Sequence, residues 1–435
     1  LNNFKNNTID HTPYWHADTG FQEHSIDTEL SSLPDALEII IVGSGFTGLS
    51  AALTLARAGK KVAVLDSGKI GSGASSRNGG LLGPSFHKLG MQGLTKKYGQ
   101  DTANAVLKES LAGFDWLVDF IGRENIGCDL QHCGRFRGAL TPEHYTNMAK
   151  QAESLAKVLD YPVTLISKSE QHLEVGTDKY CGGVVYNKDA SLHPAKLVQG
   201  LIEKLMAEGV SLIANAKVGN ISADGQGFKV KVGDREIATD EVLIATNGYT
   251  GNVTPNLKKR IIPIRSSMIA TQSISQELMH SVSPKLHTHG GTDRLVLYYR
   301  PSPDGTRLLF GGRALSYADK PNEYIKFLHD SMLDIFPQLQ DSKIDYAWSG
   351  LVAYSFDHVP HLGKMDGMYY AMGYCGSGVA RANYLGHKIA MKMLGNAGET
   401  IFEQFEFSGK PFYNGNPWFM PAVIRWHSVA DKFGW

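Results

Sequence analysis

The segment Gly43-Ser44-Gly45-Phe46-Thr47-Gly48 sets three glycines at GxGxxG spacing directly behind the β-branched run Ile39 to Val42. This order of residues suits a pyrophosphate. Gly43 permits a tight turn, Gly45 removes a Cβ so that backbone can approach the phosphates, and Gly48 lets a following helix pack closely on the strand. The helix N-terminus then offers free amide protons and partial positive charge. Asp66 follows at the end of the next apolar run, where an acid can accept hydrogen bonds from a ribose 2′-hydroxyl and would repel a 2′-phosphate, so NADP is disfavoured. These residues point to a dinucleotide without separating FAD from NAD.

The elements that must position them follow from apolar spacing. Residues 38 to 42 read as a buried strand, 47 to 58 as a helix with Leu49, Leu53 and Ala56 on one stripe, and 61 to 66 as a second strand. Gly59 occupies a helix C-terminal position. Together they predict a βαβ unit. Next comes a glycine- and serine-rich loop, residues 70 to 84, longer than a turn requires. Spacing predicts helices over 101 to 122, 143 to 158 and 321 to 335, a strand ending in EVLIATNGYT (241 to 250), and a hairpin in 295 to 312 around Pro303, Asp304 and Gly305. Residues 368 to 395 read as strand, glycine turn and helix. Residues 1 to 35, polar with scattered aromatics, read as an arm lying on the body rather than as core.

Size and composition narrow the class. A chain of 435 residues is long enough for two domains. Its 43 basic and 43 acidic residues balance and form no long run, so neither nucleic acid nor anionic lipid is an expected partner. Four cysteines without a CxxC pair fit a reducing, cytoplasmic setting. Polar interruptions in 38 to 56 exclude a membrane span. The start lacks a secretory pattern, although an upstream targeting segment could have been removed. His358 and His361 flank Pro360 without ligand spacing, so no metal is expected. No Ser/His/Asp arrangement can be assembled.

Four further segments carry a resemblance. GSGASSRNGG (71 to 80), ATNGYT (245 to 250), DHVPHLG (357 to 363) and GYCGSGV (373 to 379) resemble, in order and spacing, motifs of the D-amino-acid oxidase (DAO) family of FAD enzymes. With YWHAD (14 to 18), the chain is most similar to the branch that contains γ-glutamylputrescine oxidase and related amine oxidoreductases. The resemblance implies an α/β fold: a Rossmann-like FAD-binding domain from 36–105, 180–260 and 345–395, interleaved with an antiparallel-sheet substrate domain from 106–179 and 261–344. Residues 1–35 and 396–435 would be arm and tail. Gly43, Ser44, Gly45, Thr47, Gly48, Asp66 and Ser67 would hold the ADP half. Ala74, Ser75, Arg77, Asn78 and Gly79 would pass the pyrophosphate and flavin, Val218 would meet adenine, and Gly248 would close the domain. Gly376, Ser377, Gly378 and Val379 would bring a helix N-terminus to the flavin. Relatives tether FAD through a cysteine or histidine where this chain has Gly350 and Asn78-Gly79-Gly80, so non-covalent FAD is expected. Cys375 is expected to pack as a small buried hydrophobe.

The family's α-amino-acid oxidases carry GLRP, whose arginine pairs with the substrate carboxylate, where this chain has Gly350-Leu351-Val352-Ala353. A valine cannot hold a carboxylate, so the resemblance implies a primary or secondary amine, or an amino acid whose carboxylate is distal. Tyr299 and Arg313 would project toward the flavin, Arg313 holding a distal acid or serving a surface ion pair. Tyr354 would add an aromatic wall, and Phe356 and Arg300 would be structural. Leu309 replaces a lysine that promotes reaction with oxygen, leaving the acceptor as O2 or another oxidant. Rival readings are a D-amino-acid or cyclic imino-acid dehydrogenase using Arg313 or Arg300, a non-catalytic flavoprotein subunit, and an NAD enzyme.

Overall fold

The computed structural model describes residues 9–21, 29–84, 89–313, 319–396, 399–424 and 426, with nothing of the Arg313 side chain. The first glycine turn leaves a strand, Ala36–Val42, whose Ile39, Ile40 and Ile41 are all buried. A strand apolar on both faces belongs inside a parallel sheet. It pairs in parallel with Val62–Leu65 on one side and Arg235–Ile244 on the other. Ser211–Ile213 and Met368–Met372 extend the parallel run, and His361–Met365 closes one edge antiparallel. Helices Phe46–Arg57, Gln100–Arg123, Pro194–Ala207 and Gly378–Met393 share the apolar core on one face. An antiparallel meander, Val218–Asp224 and Gly227–Val232, contributes to the core on the other.

A second sheet runs in the order 344–354, 262–271, 308–313, 297–301, 288–291, 135–138, 183–186 and 163–166. It is antiparallel except where Thr288–Gly291 lies parallel to Arg135–Gly138. Helix Pro321–Ile335 packs on it through Ile325, Leu328 and Met332. The helices expected over 101 to 122, 143 to 158 and 321 to 335 are present as Gln100–Arg123, Pro142–Leu159 and Pro321–Ile335. The expected hairpin is Leu297–Pro301 against Leu308–Arg313.

Two expectations need correction. All but the first residue of Ile344–Tyr354, and the whole of Gly183–Tyr186, fall within ranges assigned to the FAD domain, yet these strands pair in the second sheet. The cause in the first case is length: Ile344–Tyr354 finds partners along the whole of Ile262–Thr271. Nor is the N-terminal segment merely a covering arm. Helix Tyr14–Thr19 buries Trp15 completely, in a cluster with Met268, Leu309 and Trp348. Removing an indole from water stabilises by at most about 5 kcal/mol, at roughly 25 cal/mol per Å² over about 200 Å². The tail does pack on the body, Phe419 and Met420 against the cluster of Ile262, Tyr354, Cys375 and Tyr413. No helix among the described residues is long and apolar enough to cross a membrane.

Candidate active site

A cleft of about 1410 Å³ runs between the carboxyl ends of the parallel strands and one face of the second sheet. Its first wall is the GxGxxG turn. Gly43 has φ +104°, and a Cβ there would stand 2.9 Å from the Ala245 carbonyl oxygen. At Gly48 a Cβ would meet the Gly43 carbonyl oxygen at 2.0 Å, so this glycine serves close helix packing and does not line the cleft. Gly45 is open toward the cleft, with only Ser75 Oγ within 4 Å of its missing Cβ. Asp66 lies at the lip of this turn. Its Oδ2 accepts from the Ser44 amide at 2.8 Å and the Ser44 hydroxyl at 2.6 Å, and its Oδ1 accepts from the Gly68 amide at 2.9 Å. Three donors fix the carboxylate while leaving lone pairs free for a diol.

Ser67, Thr47 and Val218 also line the cleft, as do Ala74, Ser75, Arg77, Asn78 and Gly79 of the long loop. Ser75 Oγ accepts from the Phe46 amide at 2.8 Å, joining the loop to the head of the first helix. Opposite lies the late turn. Gly376 has φ +90°, with Tyr354 Oη 3.0 Å from where its Cβ would be, and a Cβ on Gly378 would meet nothing within 4 Å. Gly378 opens the 16-residue helix Gly378–Met393, so bare amides at a helix N-terminus face the cleft. Burial raises the Cys375 thiol above its ordinary range, and the side chain packs as a small buried group. Gly248 does not line the cleft: its missing Cβ would lie 3.0 Å from the Leu351 carbonyl oxygen, so it is packed under its neighbours Asn247 and Tyr249, which do.

The second sheet forms the other wall with Arg265, Ser266, Tyr298, Leu351, Val352 and Tyr354. Arg265 donates to Ser349 Oγ at 2.7 Å and pairs with Asp319 at 3.2 Å. Arg137 and Arg294 lie on the same lining. Tyr299 corrects an expectation. It is fully buried on the opposite face, stacked between His289 and Phe310, with its hydroxyl 2.9 Å from that of Tyr180. The neighbouring Tyr298 faces the cleft instead, 3.0 Å from Ser266 Oγ. Arg313 pairs through its backbone with Ser266, and its side chain lies outside the described atoms. Leu309 is buried beneath Trp15 and Trp348 and does not reach the cleft.

Arg300 is structural as expected: wholly buried, it donates to the carbonyls of Gly80, Leu192 and Pro301. Phe356 packs edge-on against Tyr413. His361 Nε2 donates to Asp357 Oδ1 at 2.9 Å, and no group of potential metal ligands occurs among the described residues. Sequence reasoning missed Arg265 and Arg137. Arg265 is the one cation in the otherwise apolar and small-residue strand Ile262–Thr271, and Arg137 alternates with Arg135 in the short strand Arg135–Gly138, which is the signal that would have found them.

The chain matches the FAD dependent oxidoreductase (DAO) family over residues 38–391. It belongs to that family. The gamma-glutamylputrescine oxidoreductase of Escherichia coli K12 is 31% identical over 431 residues, covering 98% of this chain and 99% of that one. A probable oxidoreductase, OrdL, of Haemophilus influenzae is 31% identical, covering 84% and 85% of the two chains. Glycine oxidase from Geobacillus kaustophilus shares the fold with a TM-score of 0.72 at 19% identity, over 86% of this chain and 99% of that structure. L-proline dehydrogenase from P. horikoshii superimposes with a TM-score of 0.71 at 20% identity, over 90% and 99%. The protein is thus an FAD-dependent oxidoreductase. The cleft fits that cofactor: at Gly45 and Gly378 the absence of a side chain leaves backbone on the lining open to an approaching group, and Gly378 lies at a helix N-terminus.

Proposed function

We propose that this enzyme oxidises the C–N bond of a primary or secondary amine, or of an amino acid whose carboxylate is distal from the reacting carbon. The observation that carries this reading is Val352 on the cleft wall, where the family's α-amino-acid oxidases place their carboxylate-binding arginine, with Arg137, Arg265 and Arg294 elsewhere on the same lining. A carboxylate left unpaired beside Val352 would cost several kcal/mol. The E. coli relative's name, gamma-glutamylputrescine oxidoreductase, supports an amine as the reacting group.

Non-covalent FAD would be held by Gly43, Ser44, Gly45, Thr47, Asp66 and Ser67 at its ADP half. Val218 would lie by the adenine, and Ala74, Ser75, Arg77, Asn78 and Gly79 along the pyrophosphate and flavin. Bound FAD supplies a hydride acceptor at N5. Amides of Gly376 to Val379 and the dipole of Gly378–Met393 favour negative charge at the cleft. Tyr298, Tyr354 and Leu351 exclude water and orient the amine, which arrives unprotonated and therefore needs no dedicated base. Water then hydrolyses the imine to a carbonyl compound and a smaller amine, while O2 or another acceptor takes the electrons.

Anaerobic titration of the purified yellow protein tests this. Amines and acid-bearing amines should bleach the flavin band, and α-amino acids should not. Faster bleaching by D-amino acids or proline would favour the imino-acid dehydrogenase reading, and a band that no substrate bleaches would favour a non-catalytic subunit.

A further inference from the structure

The loop from Ser76 to Gly80 is held from outside the strand-and-turn unit to which it belongs. His16 Nε2 lies 2.8 Å from Ser76 Oγ, whose single proton goes to the Gly71 carbonyl at 2.7 Å, so the imidazole is the donor. Trp348 Nε1 donates to the Arg77 carbonyl at 2.8 Å. Trp15 Nε1 donates to the Asn78 carbonyl at 2.7 Å. Arg300 Nη1 donates to the Gly80 carbonyl at 3.1 Å. Four residues of a glycine- and serine-rich loop are thus each tied to a buried side chain, two of them from helix Tyr14–Thr19. These two support each other through their surroundings. Trp15 packs edge-on against His193 at 4.7 Å and under the Arg300 guanidinium at 5.7 Å, while His16 stacks on Phe21 at 4.5 Å.

Such a loop, left alone, would be costly to order, and whatever freedom it kept in the apoprotein would be charged against cofactor affinity. We propose that Trp15 and His16 are positioning residues for the cofactor: they set the 76–80 loop in its binding shape before FAD arrives. Neither is itself part of the cleft lining. Their effect should therefore fall on the part of the ligand that this loop meets. The inference rests on the placement given above, in which residues 74–79 pass the pyrophosphate and flavin while Gly43 to Thr47 and Asp66 hold the adenosine end.

That division supplies the test. Apoprotein is titrated with FAD, followed by flavin fluorescence, and separately with AMP, which lacks the pyrophosphate and flavin, followed by calorimetry, for wild type, Trp15→Phe, His16→Ala and His16→Gln. Amide exchange of the loop is followed in the same apoproteins. Trp15→Phe keeps an aromatic ring but removes the donor and part of the buried ring system; His16→Gln keeps an N–H donor. The expected result is FAD affinity about tenfold weaker for Trp15→Phe and His16→Ala, with AMP affinity changed by less than about twofold. Exchange across 76–80 should be faster in both, and His16→Gln should recover much of the loss. Equal weakening of FAD and AMP, or unchanged FAD affinity, overturns the inference while leaving the cofactor site standing. Should wild type take up neither ligand, the cofactor placement itself falls and the inference falls with it.

Discussion

Thr47 Oγ1 lies 2.6 Å from Tyr374 Oη, and Tyr374 in turn donates to the Ala371 carbonyl at 3.0 Å, so the threonine hydroxyl must be the donor in the first bond. This contact ties the head of helix Phe46–Arg57 to the turn that opens helix Gly378–Met393, across most of the chain. The same two helices meet at Gly386, where a Cβ would stand 2.5 Å from the Thr47 carbonyl oxygen. The cleft's two amide-bearing turns are therefore one rigid assembly.

Tyr374→Phe should weaken that assembly without opening the core, because the ring stays and only the hydroxyl is lost. Leaving the buried Thr47 hydroxyl without its acceptor costs about 1–3 kcal/mol. Urea denaturation of the apoprotein measures it as a lower midpoint with an unchanged slope.

Gly43→Ala should abolish stable flavin retention. The φ of +104° and the 2.9 Å approach to the Ala245 oxygen leave no room for a methyl group without moving the turn. Flavin-to-protein ratio after gel filtration is the measurement. A ratio equal to wild type would show that the turn yields.

Arg300→Gln should be among the more damaging single substitutions, at about 3 kcal/mol, because a wholly buried cation is replaced and the Gly80 and Leu192 carbonyls lose a charged donor. Burial lowers its pKa to about 10, so it stays charged at neutral pH. Thermal and denaturant midpoints of the apoprotein report the loss.

Acid should destabilise the fold in a defined window. Burial first, then the charges of Arg77 and His193, lower His16 to about 4. The folded imidazole stays neutral where the unfolded one, with an ordinary pKa near 6.5, takes a proton. Its contribution is present above about 6.5, is lost as pH falls toward about 4, and is level below that; it amounts to about 3 kcal/mol. In His16→Gln, the slope of unfolding free energy against pH over this window should be smaller than in wild type.

Arg265→Gln and Arg313→Ala test acid recognition. Removing a cation that holds a distal carboxylate in ground and transition states alike should raise KM about tenfold or more with kcat nearly unchanged. Amines without an acidic group should show no such change. A variant whose KM for acid-bearing amines stays at the wild-type value removes that arginine from substrate binding.

Much of the site was legible because each part of it is local in sequence. The strand, the GxGxxG turn, Asp66 and the late Gly376-to-Val379 turn each follow from a few adjacent residues whose backbone needs are unusual. Parity was not legible. In Leu297-Tyr298-Tyr299-Arg300 no residue of either strand face is fully exposed, so alternation gave no sign which tyrosine met the cleft. Sheet membership of Ile344–Tyr354 was hidden for a related reason: its partner, Ile262–Thr271, is set by pairing between segments some eighty residues apart. Trp15 was misread because burial of an isolated aromatic in a polar segment depends on what lies beneath it.

The pinned loop also bears on when the enzyme becomes an enzyme during its synthesis. Its fasteners enter the polypeptide at positions 15, 16, 300 and 348, so the seat for the flavin stays unfinished until the ribosome has passed position 348. Colour is thus acquired late. A transcript broken before that point should yield pale, short-lived polypeptide however much riboflavin the cell supplies.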